Sequence, residues 1–219
     1  MARQSLDARR ETWGTLVEMP IVPVVTVDDP AVAAPLVAAL QSGGIHCAEF
    51  VLRTPRAIEA IRAVSATPGF LVGAGTVVRA DQVDQVSDAG ATFLVSPGFG
   101  LDVVERAERL GLPLIPGIAS ASDAQAALRI GIKYVKLFPA EIVGGLKLID
   151  ALSGPFPSLR FLPSGGVGPG NAVDYYRHPS VFAVSGSWVA PAKAIAERDF
   201  DSIARLARAA TELLGSAGD

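Results

Sequence analysis

Short apolar, β-branched runs alternate with stretches of helical period from residue 21 to near the C-terminus. The first run, IVPVVTV at 21–27, is followed by Asp29 and Pro30, an N-cap and a first-turn proline. Val32, Leu36, Val37 and Leu40 then recur at helical spacing as far as Gly43 and Gly44. Pro35 inside that helix predicts a kink or a late start. The same order repeats. HCAEFVL at 46–52 precedes a helix bearing Ile58, Ile61 and Val64, and 70–72 leads through GAGT to one bearing Val83 and Val86. Residues 93–96 lead through Pro97-Gly98 to Val103, Val104, Ala107 and Leu110, closed by Gly111, and 114–118 leads to a Ser122 cap and an alanine-rich helix ending at Gly131. YVKLF at 134–138 precedes Leu146, Ile149 and Leu152; RFLP at 160–163 leads through SGG to a helix around Val173 and Tyr176; VFAVS at 181–185 leads to the C-terminal helices. Ahead of all this, Leu6, Trp13, Leu16 and Val17 predict a helix over 5–18 that caps one end of the fold.

Eight strand-plus-helix units in 219 residues imply parallel strands joined by crossover helices. The expected fold class is α/β, a (β/α)8 TIM barrel filling a single domain over 1–219, with the barrel at about 20–215. An open doubly wound sheet carries its glycine fingerprint after the first strand, and the first loop here, Asp28-Asp29-Pro30, has no glycine.

In a barrel, alternate strand residues face inward and functional groups gather at the C-terminal strand ends. In the sixth strand Val135 and Leu137 suit the outer face, which leaves Lys136 and Phe138 inside; Lys133 falls near the opposite rim. In the second strand Ala48, Phe50 and Leu52 face out, so Cys47, Glu49, Val51 and Arg53 face in. A carboxylate and an ammonium thus share one interior. A neutral lysine amine attacks a ketone to form an iminium, an electron sink for C–C bond making or breaking. Glu49 could then move the protons and Arg53 receive a substrate carboxylate in a bidentate manner. The same pair could equally be an ion pair that only fills the barrel, and parity leaves both readings open.

Two glycine loops favour chemistry. SGG at 164–166 follows the seventh strand, and SGSW at 185–188, with Gly186 and Ser187, follows the eighth. Loops there form phosphate sites in such barrels, because glycine lets backbone N–H groups approach the anion and a helix N-terminus adds favourable polarity.

Charge and composition narrow the partners. A net charge of −3 and a pI near 5.4 argue against nucleic acid or an acidic membrane surface. One cysteine, Cys47, and two separated histidines, His46 and His178, leave no basis for a disulfide framework or a structural metal. With no leader-like or membrane-length apolar run, a soluble cytoplasmic protein is expected. Cys47 reads as a buried structural thiol, and Glu141, beyond Pro139, as a loop or helix-start residue rather than the working carboxylate.

GIHCAEFVLRT, VGAGTV, VSPG, PLIPGI, YVKLFPAE, FLPSGG and VSGSW, in this order, resemble the 2-keto-3-deoxy-6-phosphogluconate (KDPG) aldolase and 4-hydroxy-2-oxoglutarate (KHG) aldolase family, over a span from about Leu16 to the final helix. The resemblance implies a class I aldolase of the Entner–Doudoroff pathway, a homotrimer using neither metal nor cofactor beyond a covalent Schiff base. It would reversibly cleave KDPG to pyruvate and glyceraldehyde 3-phosphate. It also implies that Lys136 is the Schiff-base lysine, Glu49 the general acid/base, Arg53 and Thr76 the residues holding the pyruvate moiety, and Pro97 and Phe138 apolar walls. Gly165, Gly166 and Ser187 would form the phosphate site. Val51 departs from the threonine that relatives often carry. Ser164 replaces a threonine of the gluconate-type enzymes but keeps a hydroxyl, unlike the apolar residue of galactonate-type relatives. Cleavage of 2-keto-3-deoxy-6-phosphogalactonate or 4-hydroxy-2-oxoglutarate, a non-catalytic barrel binding a phosphorylated sugar acid, and a phosphosugar isomerase or epimerase are the competing functions.

Overall fold

A computed structural model describes residues 6–216. Each apolar run forms strand and every pairing is parallel: β1 (Ile21–Val25), β2 (Cys47–Val51), β3 (Leu71–Gly75), β4 (Phe93–Val95), β5 (Leu114–Ile115), β6 (Gly117–Ile118), β7 (Tyr134–Leu137), β8 (Arg160–Pro163) and β9 (Val184–Gly186). Six strands pair in the order β5-β4-β3-β2-β1-β9 and three in the order β6-β7-β8. The result is a curled parallel sheet flanked by helices. The fifth run is split because Pro116 has no N–H to give the ladder. At the other junction β8 meets the last run through single bridges, Phe161 to Val181 and Ser164 to Ser185.

The helices are α1 (Leu6–Glu18), α2 (Ala33–Ser42), α3 (Ala57–Val64), α4 (Ala80–Asp88), α5 (Leu101–Leu110), α6 (Ala121–Arg129), α7 (Ala140–Val143), α8 (Gly145–Ser153), α9 (Ala172–Tyr176), α10 (Ala192–Ala196) and α11 (Phe200–Gly215). Asp29 accepts from the Ala31 N–H (3.0 Å) over a 3-10 turn, Pro30–Val32, so the first crossover helix starts late. Pro35 falls in the first turn of α2, where it breaks no intrahelical bond.

Several boundaries differ from the sequence expectation. Most of the GAGT stretch is strand: Gly73 and Gly75 lie in β3, in register with Phe93 of β4 and Val51 of β2, and only Thr76 lies beyond it. They are glycines because the interior is full there, since a Cβ on Gly75 would sit 2.6 Å from Glu49 Cδ and one on Gly73 2.6 Å from a Phe93 ring carbon. Helix α6 is capped by Ser120, not Ser122; Ser120 Oγ accepts from the Asp123 N–H (3.2 Å), and the Asp123 carboxylate accepts from the Ala119 N–H in return (3.0 Å). Strand β9 is shifted toward Gly186, because Gly186 pairs with Pro23. In α9 the buried residues are Ala172 and Tyr175, with Val173 and Tyr176 half-buried.

Strand parity holds. Ala48, Phe50, Val135 and Leu137 join the apolar layer between sheet and helices, where each fully buried large side chain contributes about 1.5–3 kcal/mol. The opposite faces of the strands supply a second cluster containing Val22, Cys47, Phe93, Val95, Ile115, Leu162 and Ala183. From α1, Leu16 is fully buried in that cluster and Trp13 packs on it, with the Trp13 ring stacked on Tyr134 at 5.0 Å. Residue 5 of the helix expected over 5–18 lies outside the described residues. No described helix is long and apolar enough to cross a membrane.

Candidate active site

Beyond the apolar end of the second cluster, the inward positions turn polar. Lys136 projects from the middle of β7, where its neighbours in register are Gly117 and Leu162. Its Nζ donates to both carboxylate oxygens of Glu49, from β2, at 3.0 and 3.2 Å. The side chains are 4% and 0% exposed, so this is a buried pair and not a surface bridge. The missing side chain at Gly75 makes room for the carboxylate. Nζ also lies 5.4 Å from the centroid of the Phe138 ring, which leaves one face of the ammonium against an aromatic surface.

Arg53 follows β2 and is exposed; its Nε donates to Thr76 Oγ1 at 3.2 Å. Thr76 directly follows β3 with φ +58, a left-handed conformation that costs a β-branched residue about 1–2 kcal/mol. The turn that the sequence suggests at the glycines is thus made by a threonine whose hydroxyl is directed to Arg53.

A cavity of about 240 Å³ opens onto Lys136 and Arg53, while their partners Glu49 and Thr76 do not line it. It brings together Arg53, Lys136, Phe138, Ser164, Gly165, Gly166, Gly186 and Ser187, all expected from the sequence. Gly165 and Gly166 adopt φ +91 and +86, a backbone path that glycine takes without steric cost. The helices after the two glycine loops, α9 and α10, are only five residues long. Helices this short add little polarity of their own, so an anion held here would rest mainly on backbone N–H groups and the Ser187 hydroxyl. Ser185, at the head of SGSW, is fully buried in β9 and does not line the cavity. Nor does Pro97: its backbone fills the place of a side chain at Gly117, where a Cβ would lie 2.6 Å from the Gly98 nitrogen, on the sheet face that Gly117 shares with Lys136.

The cavity also includes Val24, Thr26, Val167, Ala190 and Ala192, which the motif reading passes over. Val24 and Thr26 continue the inward alternation of Val22 along β1, a signal present in the sequence. The other three, Val167 and Ala190 in loops and Ala192 at the start of α10, carry no such mark.

Lys133 lies elsewhere, lining a separate cavity of about 290 Å³ with Arg9, Trp13, Glu108 and Tyr134. Cys47 donates to the Ile21 carbonyl (3.4 Å), and burial pushes its thiol up to about 12. Glu141 opens α7 and accepts a hydrogen bond from the Tyr175 hydroxyl. Among the described residues no group of three or more His, Cys, Asp or Glu side chains could hold a metal ion.

A family model, "KDPG and KHG aldolase", matches residues 14–206. The 2-dehydro-3-deoxy-phosphogluconate aldolase of Treponema pallidum is 44% identical over 196 residues, 89% of this chain and 93% of that one. The crystal structure of the KDPG aldolase of Legionella pneumophila, with pyruvate captured as a covalent carbinolamine, superposes with a TM-score of 0.86 at 39% identity, covering 88% of this chain and 94% of that one. The 2-keto-3-deoxy-6-phosphogluconate aldolase of Zymomonas mobilis, solved with 3-phosphoglycerate, gives 0.84 and 39%, covering 94% and 95%.

Proposed function

The chain belongs to the KDPG and KHG aldolase family, and from that membership we propose that it cleaves KDPG reversibly to pyruvate and glyceraldehyde 3-phosphate through a Schiff base on Lys136. The observation that carries this reading is Lys136, paired to the buried Glu49, in the lining of a cavity that it shares with Arg53 and both glycine loops. A related aldolase holds pyruvate as a carbinolamine, the adduct such a lysine would form.

The chemistry follows from the placement. Glu49, 3.0 Å from Nζ, receives the ammonium proton, and the freed amine attacks the C2 ketone. Glu49 returns its proton to the carbinolamine hydroxyl, which leaves as water to give the iminium and restores the carboxylate. Glu49 then takes the proton of the C4 hydroxyl, the C3–C4 bond breaks, and its electron pair enters the iminium to leave an enamine. Glyceraldehyde 3-phosphate departs; the enamine is protonated at C3, and hydrolysis returns pyruvate and the lysine. Arg53, held by Thr76, pairs with the substrate carboxylate, and Phe138 forms an apolar wall. Pro97, whose backbone crowds Gly117 on the face that carries Lys136, is a second wall. Gly165, Gly166, Gly186 and Ser187 receive the phosphate. Ser164 presents a hydroxyl for the sugar-acid hydroxyls and favours the gluconate isomer. No cofactor enters this scheme.

The architecture fits a single (β/α)8 barrel domain spanning the chain, with β5 and β6 one strand bent at Pro116 and the Ser164–Ser185 bridge closing the cylinder. Helix α1 then caps the end opposite the site. The resemblance to this family also supports a homotrimer, for which Val78, Leu101 and Ile142 offer exposed apolar surface after β3, β4 and β7. Light scattering at three times the 22.6 kDa of one chain is the expected result. Substrate choice is tested by coupling pyruvate release to lactate dehydrogenase. KDPG should be cleaved with higher kcat/KM than the galactonate isomer or 4-hydroxy-2-oxoglutarate; the reverse order would overturn the assignment.

A further inference from the structure

The glycine loop after β8 is held from the side by a pair of residues with no part in the bond-breaking steps. Beyond β7 the chain continues the sheet-like pairing into the loops: Ala140 N–H donates to the Ser164 carbonyl (2.8 Å) and Glu141 N–H to the Gly165 carbonyl (3.1 Å). Glu141 then lies across Gly166, where a Cβ would come within 2.7 Å of Glu141 Cβ. On the far side, Asn171 Nδ2 donates to the Gly166 carbonyl (3.1 Å) while its oxygen accepts from the Gly168 N–H (2.8 Å). What keeps the Glu141 side chain over the glycine is the Tyr175 hydroxyl, which donates to Glu141 Oε1.

Tyr175 is 1% exposed and is carried by α9, the helix that the glycine loop leads into. Burial and the adjoining Glu141 carboxylate both push its phenol up, so it remains a donor across the working pH range. Gly145, at φ +57, passes so close that a Cβ there would be 2.7 Å from the Tyr175 hydroxyl oxygen and 3.3 Å from Glu141 Oε1. The bond thus joins the loop after the lysine strand to the helix after the glycine loop, with Gly166 clasped between them.

We propose that Tyr175 and Glu141 are positioning residues for the phosphate end of the substrate, fixing Gly165 and Gly166 where their N–H groups meet the phosphate oxygens. The inference rests on the assignment of those glycines to the phosphate. A flexible glycine pair loses conformational freedom when it binds an anion, and a loop already ordered by Glu141 avoids that cost. The effect should therefore appear in substrates that carry the phosphate and be absent from those that lack it.

The test compares cleavage of KDPG with that of 4-hydroxy-2-oxoglutarate, which has no phosphate. Tyr175→Phe deletes one oxygen from a packed ring; it is expected to raise KM for KDPG about tenfold with kcat little changed, the scale of a hydrogen bond to a charged group. KM for 4-hydroxy-2-oxoglutarate should stay at the wild-type value. Glu141→Ala should act like Tyr175→Phe, and Glu141→Gln, which retains an acceptor oxygen, should restore most of the affinity. Glu141→Ala carries the test if Tyr175→Phe does not fold. Equal changes for both substrates, or none for KDPG, would overturn the proposal. Ser187→Ala separates the two levels: if it weakens KDPG selectively while Tyr175→Phe and Glu141→Ala do not, the positioning role fails and the phosphate site stands. If Ser187→Ala has no selective effect either, the phosphate assignment itself fails.

Discussion

Replacing Lys136 by methionine while leaving Glu49 in place should destabilise the protein by about 3–5 kcal/mol, the cost of stranding a buried charge. The geometry sets the scale. At 3.0 Å, and with an effective dielectric of about 20, the two charges attract by roughly 5–6 kcal/mol, which offsets the desolvation of groups that are 4% and 0% exposed. Methionine keeps most of the volume of the lysine stem but removes the compensating charge. Adding Glu49→Leu should recover most of the loss, because an apolar pair of similar volume is often neutral or better than the ion pair it replaces. Urea unfolding at one fixed protein concentration reads this out. With a slope of about 2–3 kcal/mol per molar, the single variant should unfold some 1–2 M earlier and the double variant close to wild type. A single variant within 1 kcal/mol of wild type, or a double variant no better than the single, would refute the reasoning that this pair is kept for chemistry at the expense of stability.

Other substitutions probe the surroundings. Gly75→Ala brings a Cβ to 2.6 Å from Glu49 Cδ; about 1–3 kcal/mol of overpacking is expected, with kcat lowered on the order of 100-fold by the displaced carboxylate, and an unchanged kcat would contradict the placement. Arg53→Lys loses both the bidentate fork and the bond to Thr76, so KM for the keto acid should rise about 10–100-fold with the thermal midpoint nearly constant. Cys47 should resist thiol reagents in the native protein at pH 8 and react once per chain in denaturant, since burial holds its thiol at about 12. The linkage has a definite sign: the folded state keeps the thiol proton above pH 9, so stability falls by about 1.4 kcal/mol per pH unit from 9 to about 12. Cys47→Ala should remove that share of the slope, leaving the part above pH 10 that comes from the raised phenol of Tyr175.

The site was legible in the sequence where alternation carried chemistry. In β2 and β7 both faces have marked residues, apolar on one side and Glu49 or Lys136 on the other, so two-residue periodicity assigns the interior without ambiguity. Gly73 and Gly75 were misread as a turn because glycine signals a tight interior as readily as a bend, and only the neighbours Phe93 and Glu49 distinguish the two. Ser120 and Ser122 are equally good cap formers; the reciprocal bond from Asp123 decides between them. The split at Pro116 follows from a missing donor that was visible throughout. The hold of Tyr175 on Glu141 could not be read, because the residues lie 34 positions apart and neither stands in a periodic pattern with the other.

The proposed mechanism places the covalent intermediate on Lys136 and not on its neighbour Lys133. Incubation with pyruvate and sodium borohydride, followed by peptide mass mapping, tests it directly. A reduced pyruvyl adduct on Lys136 alone, abolished in Lys136→Ala and retained in Lys133→Ala, is the expected result. An adduct on Lys133, or none at all with active protein, would contradict the account.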